Sequence, residues 1–414
     1  MTDALVSLLD EELSAVPGAA VAVRHGGRLA HRSCHGRADL EWDRPVTHET
    51  VFRLASLSKP LTALAVRSLA ADGLLDLDAP IAGYLPGLPH GDAVTVAHLL
   101  AHTSGIPNFT ALPGFADRTS RLDHTDDEVI ALFAGLPLVF EPGTRHHYSN
   151  SGYRLLDVIA ARVAGAPFGD VLAERVFGPA GMTSSRLLDD TALVPHRARG
   201  YDRDGERFAN AAPVSMTVPG GAGGLGSTLD DLVAFDNALH DGVFDLTGLH
   251  EPVRLACGRT EGYGHGWFLG TYRGRRLAYH SGAIAGFANF YARIPSEDFS
   301  VIVLTNLGGF GCGPLVRDII DTVLGLPEPM RPTVALDGLA DFAGVFVGGG
   351  KELTVAAEPG LLRVSTGDVE RRMRPVAART FADMEDPDVT LDLHDRDTLT
   401  LRLPLSWVTG HRRD

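Results

Sequence analysis

The chain has 414 residues, 44% of them hydrophobic and 21% charged, with 52 acidic against 37 basic side chains and a formal net charge of −15. That length excludes a peptide or a single small finger, and the composition excludes a disordered or fibrous chain. The surplus of carboxylates disfavours nucleic acid and anionic membrane as partners, because phosphates are bound by clustered cations.

The chain opens with an acidic amphipathic helix whose stripe is Leu5, Leu8, Leu9, Leu13 and Val16, unlike the basic start and unbroken apolar run of a secretory peptide. Residues 19–36 read as two strands turned at Gly26-Gly27. A helix begins just after Ser56 and stops at Gly73, where glycine suits a helix end. Further helices are expected over residues 97–105, 151–165 and 228–242. From Tyr263 the period becomes strand-like over 263–270, 275–282, 288–295 and 299–306, before a last helix at 315–325. Strands from both ends with helices between them imply an α/β fold. One antiparallel sheet is closed by N- and C-terminal segments, flanked by helices and joined to a helical subdomain across a cleft. Residues 325–333, with Pro327, Pro329 and Pro332, read as a linker. Beyond it, alternating segments turning at Pro359-Gly360 and Arg396-Asp397 fit a small up-and-down barrel or a sandwich. Domains of 1–331 and 332–414 are therefore expected. Cys34, Cys257 and Cys312 are odd in number and widely spaced, which suits reduced thiols in the cytoplasm. No window is long and apolar enough for a membrane span.

Only Lys59 and Lys351 among the basic residues are lysine. Arginine keeps a surface charged equally well, but only lysine can shed its proton near neutrality. Lys59 follows Ser56 by three residues at a helix start, so both side chains share a face near the positive end of the helix dipole. A neutral amine within reach can take the hydroxyl proton of an attacking serine. This needs the lysine moved from about 10.4 towards about 7–8, roughly 3–5 kcal/mol, which burial can supply.

Ser56-Leu57-Ser58-Lys59 is followed in order by Tyr148-Ser149-Asn150 and by His280-Ser281-Gly282. With these motifs the chain resembles the penicillin-recognising serine hydrolases of the class C β-lactamase, DD-peptidase and D-aminopeptidase type. Supporting stretches are Leu99 to Phe109, Gly178 to Met182, Gly223 to Phe235 and Tyr263 to Trp267, and the likeness covers about residues 15 to 325. The resemblance implies a β-lactamase/transpeptidase-like fold with Ser56 as nucleophile and Lys59 as base. Tyr148 would be a proton shuttle made more acidic by the lysine, and Asn150 would orient the lysine and substrate. The backbone N–H groups of Ser56 and Ala283 would form the oxyanion hole, with His280, Ser281 and Gly282 along the substrate. Histidine stands where β-lactamases and DD-peptidases place a lysine that helps hold a substrate carboxylate. His-x-Gly is similar instead to D-aminopeptidases, some esterases and the stand-alone cyclising thioesterases. A single lipocalin-like barrel after the catalytic domain is also the layout of those cyclases.

The expected activity is hydrolysis of D-amino-acid peptides, amides or esters, since an acidic protein without a third-motif lysine suits amine-bearing substrates. Alternatives are macrocyclisation of a peptidyl thioester and slow acylation by a binding or sensor protein. No metal or organic cofactor is required, and a homodimer is allowed. His98 and His102 have the spacing of a zinc pair but no companion Glu, so a core or capping role is expected. Gly221 to Gly226 fits a dinucleotide fingerprint without its βαβ context, and reads as a flexible cleft segment. His146 and His147 could tune the site, and Arg371, Arg372, Arg374, Arg412 and Arg413 could reach a substrate carboxylate, but solvated surface is the default reading of each.

Overall fold

The computed structural model describes residues 2–326, 333–336, 338–348, 351–386, 388–403 and 406–413. The expected proline linker, with Pro327, Pro329 and Pro332, lies outside the described residues. The chain forms two compact units, Met1–Leu269 with Leu277–Val323, and Gly270–Arg276 with Leu324–Asp414.

In the first unit the N-terminal helix α1 (Thr2–Leu13) buries Leu5, Leu9 and Leu13 as its stripe requires. Strands β1 (Gly18–His25) and β2 (Arg28–Asp39) form the expected hairpin, with Gly26 and Gly27 at φ 59° and 77°. Only glycine enters that region freely, which is why this pair turns the chain. Strands β3 (Arg44–Pro45), β4 (Phe268–Tyr272), β5 (Arg275–Ile284), β6 (Phe287–Ile294) and β7 (Phe299–Thr305) complete an antiparallel sheet of order β4-β5-β6-β7-β1-β2-β3, of which residues 270–276 are counted with the second unit. The N-terminal β1 pairs with the C-terminal β7, Ala22 opposite Ile302, so the two ends of the unit close one sheet as expected. β6 and β7 are buried along their whole lengths, their polar Asn289 and Ser300 included, each of which is hydrogen-bonded.

The helices that carry the site are α2 (Ser58–Ala71), α3 (Val96–Leu100) and α4 (Asn150–Ala164). Helix α5 (Leu229–His240) packs on β1 and β7. Its buried Asp236 accepts from Arg24 Nε at 2.8 Å, Tyr291 Oη at 2.6 Å and Ser300 Oγ at 2.7 Å, strapping the helix to three strands. Helix α6 (Cys312–Leu324) closes the unit. Two expectations need correction. The 97–105 helix is only α3, because His102 at φ 57° and Gly105 at φ 73° turn the chain out of helical space. The strand expected from Tyr263 starts at Phe268, since Gly266 at φ 82° breaks the extended run.

The second unit contains a closed antiparallel barrel of eight strands, β8 (Gly344–Gly348), β9 (Lys351–Glu358), β10 (Leu361–Thr366), β11 (Val369–Ala377), β12 (Thr380–Asp383), β13 (Thr390–Leu393), β14 (Thr398–Leu403) and β15 (Ser406–Arg412). Closure decides for the barrel over the sandwich. Phe346, Leu353, Leu362, Met373, Phe381 and Leu399 fill its core. Arg371, Arg372 and Arg413 pair on the barrel itself with Asp383, Glu358 and Glu352.

Candidate active site

The nucleophile candidate sits on a constrained turn. Phe52–Arg53 pairs with Leu225–Ser227, Leu54 N–H donates to Leu225 O at 2.8 Å, and the turn Ala55–Leu57 leads into α2. Ala55 has φ 50°, a left-handed conformation that costs a non-glycine residue about 1–3 kcal/mol unless its surroundings fix it. They do. Ser58 Oγ donates to Ala55 O at 2.7 Å, while Asn289 Nδ2 reaches across from β6 to Arg53 O at 2.9 Å and Leu54 O at 3.3 Å. From Leu54 to Pro60, Ser56 alone is not fully buried.

One helical turn on, Lys59 is completely buried. Its Nζ lies 3.0 Å from Ser56 Oγ, 2.8 Å from Asn150 Oδ1 and 2.7 Å from Ala222 O. Burial pushes the amine well below its ordinary 10.5. A neutral amine has two N–H donors and one lone pair. Ala222 O can only accept, and so can Asn150 Oδ1, because Asn150 Nδ2 is turned towards Asn108 Oδ1 at 3.3 Å and Thr110 Oγ1 at 3.1 Å. In the structure Nζ also donates to Ser56 Oγ; once it has lost a proton, those two acceptors take both N–H groups and its lone pair faces the Ser56 hydroxyl.

Tyr148 lies with its ring centroid 4.7 Å from Lys59 Nζ. The expectation that the lysine acidifies it is corrected. Burial pushes the phenol up, against a smaller pull from its hydrogen bond with Ser56. The side chain therefore stays a phenol.

His280 is buried on β5, its Nδ1 2.6 Å from Ser281 O and its Nε2 3.3 Å from Tyr263 Oη. The carbonyl requires the proton on Nδ1, so Nε2 accepts from the tyrosine. Burial, with Lys59 nearby, holds the imidazole down to about 3, so it is neutral near pH 7. Ser281 and Ala283 further along β5 are exposed. Gly282 between them is a steric necessity, since a Cβ there would come 2.2 Å from Leu54 O.

The Gly220–Gly226 segment is buried and pinned, which corrects the reading of it as flexible. Gly221 N–H donates to Asp157 Oδ2 at 2.5 Å, Thr62 Oγ1 donates to Gly221 O at 2.7 Å, and Ala222 O receives Lys59. Arg154 holds Asp157 from one turn away on α4. His98 is part of the N-terminal capping box of α3, whereas His102 is buried with its ring 4.3 Å from that of Tyr148. His146 and His147 are partly buried, not solvated, and burial lowers both. Among the described residues no group of three or more His, Cys, Asp or Glu could hold a metal ion. Sequence reasoning missed Ala222, Asn108, Tyr263, Asn289 and His102 as parts of the site. The available signal was the stretch Leu99 to Phe109, which carries His102 and Asn108.

The fold and these motifs define a class, and the Beta-lactamase family model matches residues 6–331: the chain belongs to that family. It is 32% identical over 305 residues to a penicillin-binding protein of Bacillus subtilis (strain 168), covering 69% of this chain and 67% of that one. It is 30% identical over 324 residues to the D-aminopeptidase of Brucella canis, covering 77% of this chain but only 61% of the relative. Among solved structures, the D-amino acid amidase from Ochrobactrum anthropi SV3 complexed with D-phenylalanine has a TM-score of 0.67 at 28% identity, over 78% of this chain and 98% of that one. The octameric penicillin-binding protein homologue from Pyrococcus abyssi has a TM-score of 0.68 at 24% identity, over 99% of both chains, a likeness of fold.

Proposed function

We propose that this hydrolase works through an acyl-serine, with Ser56 as nucleophile and neutral D-amino-acid amides, esters or short peptides as substrates. One observation carries the reading: the buried Lys59 Nζ lies 3.0 Å from Ser56 Oγ, with Asn150 Oδ1 and Ala222 O accepting two of its N–H groups. Ser56 loses its proton to Lys59 Nζ as Oγ bonds to the carbonyl carbon. The N–H groups of Ser56 and Ala283 take up the developing oxyanion, a donor being typically worth about 2.7–4 kcal/mol. The tetrahedral species expels an amine or alkoxide, protonated through the Tyr148 phenol, which regains its proton from Lys59. Water then attacks the acyl carbon by the reverse proton path and frees Ser56.

A neutral His280 gives a substrate carboxylate no charge to pair with, so amides and esters fit better than free acids. The D-amino-acid preference rests on the relatives. The test is a panel of D- and L-configured amides, esters and thioesters given to wild type and Ser56→Ala. Turnover of D-amides or D-esters by wild type alone is expected, and equal turnover by Ser56→Ala would overturn the reading. The single barrel favours a second outcome, transfer of the acyl group to the substrate's own amine, seen as a cyclic product from a peptidyl thioester. An adduct that forms and never turns over would point to a sensor.

The reading includes domains of 1–331 and 332–414, a cytoplasmic location and self-association. In its support, no helix among the described residues is long and apolar enough to cross a membrane, the three cysteines are free, and the Pyrococcus abyssi homologue is octameric.

A further inference from the structure

His102 occupies the position just past the end of α3, where the chain turns at φ 57°. Glycine is the usual residue there and asparagine the next, because other side chains are strained in that conformation. A histidine kept in a strained position asks what its side chain does. Its carbonyl accepts from His147 N–H at 2.9 Å, and its Nδ1 accepts from Ser149 N–H at 3.2 Å. These are the two residues flanking Tyr148, and the imidazole lies against the phenol itself, ring centroids 4.3 Å apart. The chain beyond continues the same pattern. Ile106 O accepts from Ser149 Oγ at 3.0 Å, and Asn108 Oδ1 accepts from Asn150 N–H at 3.1 Å.

We propose that His102 is the positioning residue for Tyr148, its carbonyl and Nδ1 gripping the backbone on either side of the phenol so that the hydroxyl stays on Ser56. The proposal rests on Tyr148 being the proton shuttle. The grip needs a neutral ring with the proton on Nε2, since a proton on Nδ1 would face the Ser149 N–H. Burial, with His146, Lys59 and His280 adding to it, lowers the imidazole well below its ordinary value, in keeping with that form.

Asparagine offers an acceptor oxygen close to the place of Nδ1 and tolerates the turn, whereas glutamine puts its oxygen one bond further out and leucine has none. The measurement is steady-state hydrolysis of a D-phenylalanine p-nitrophenyl ester by wild type, His102→Asn, His102→Gln, His102→Leu and Tyr148→Phe, with circular dichroism and thermal melting to establish that each variant is folded. His102→Gln and His102→Leu are expected to lose about 10²-fold or more in kcat with KM little changed, while His102→Asn keeps most of kcat. Equal kcat in all three His102 variants, or a loss confined to KM, overturns the proposal. An undiminished Tyr148→Phe overturns the shuttle reading beneath it. Should the Gln or Leu variants fail to fold, nitrogen-15 NMR of histidine-labelled wild type decides: a His102 ring protonated on Nε2 supports the grip, and one protonated on Nδ1 overturns it.

Discussion

Lys59 declares its chemistry through its rarity. In a chain that uses arginine almost everywhere, a lysine one helical turn from a serine points to an amine that must be able to lose its proton. The fold supplies the means, which is complete burial among neutral acceptors. The sign of the pH dependence follows. Lys59 is a base only as the free amine, so kcat/KM rises with pH through its pKa, and that rise should be complete well below 10.5. Ionisation of Tyr148 removes the shuttle, and burial places that fall above 10.0. A pH–rate profile with its acid limb centred near 10.5 would contradict the arrangement. The neutral His280 makes a second residue-scale prediction. His280→Lys should raise kcat/KM for a peptide with a free terminal carboxylate relative to its amide, and an unchanged ratio in paired assays would count against an uncharged substrate site.

At the scale of elements, the three motifs were legible because each is short and local in sequence, and their order matched a known pattern. What brings them together was not legible. The role of Ala222 is played by a backbone carbonyl, which no residue type announces, and the 220–226 segment reads as loose glycine although Asp157 and Thr62 hold it. His102 was hidden because the expected helix over 97–105 placed it mid-helix, whereas a left-handed residue ends α3 there. Gly282 is the clearest element-level test. It lets β5 lie against the turn before Ser56, and Gly282→Ala forces a Cβ to within 2.2 Å of Leu54 O. The strand and turn must separate, at a cost of about 1–3 kcal/mol. A lowered melting temperature together with lost kcat is expected. Unchanged kinetics would mean that the strand and the serine turn do not depend on each other.

For the whole molecule, the sheet closed by β1 and β7 was readable from strands at both ends with helices between them. The barrel was only partly so. β11 carries Arg371, Arg372, Arg374 and Pro375, which obscure a strand whose inward residues include Met373. Each unit has its own apolar core, so stability should be addressable in each separately. Leu362 is fully buried in the barrel core, and Leu362→Ala should cost about 2–5 kcal/mol there, measurable by calorimetry. A melting profile identical to wild type would mean that this core is not packed as described.

The central claim is that Ser56 carries the acyl group, and time-resolved intact-mass spectrometry during turnover of a D-amino-acid p-nitrophenyl ester tests it most directly. The arrangement of Ser56, Lys59 and Tyr148 predicts an adduct that maps to the peptide containing Ser56, decays as product accumulates, and is absent from Ser56→Ala. Turnover by Ser56→Ala, or an adduct on any other residue, would contradict it.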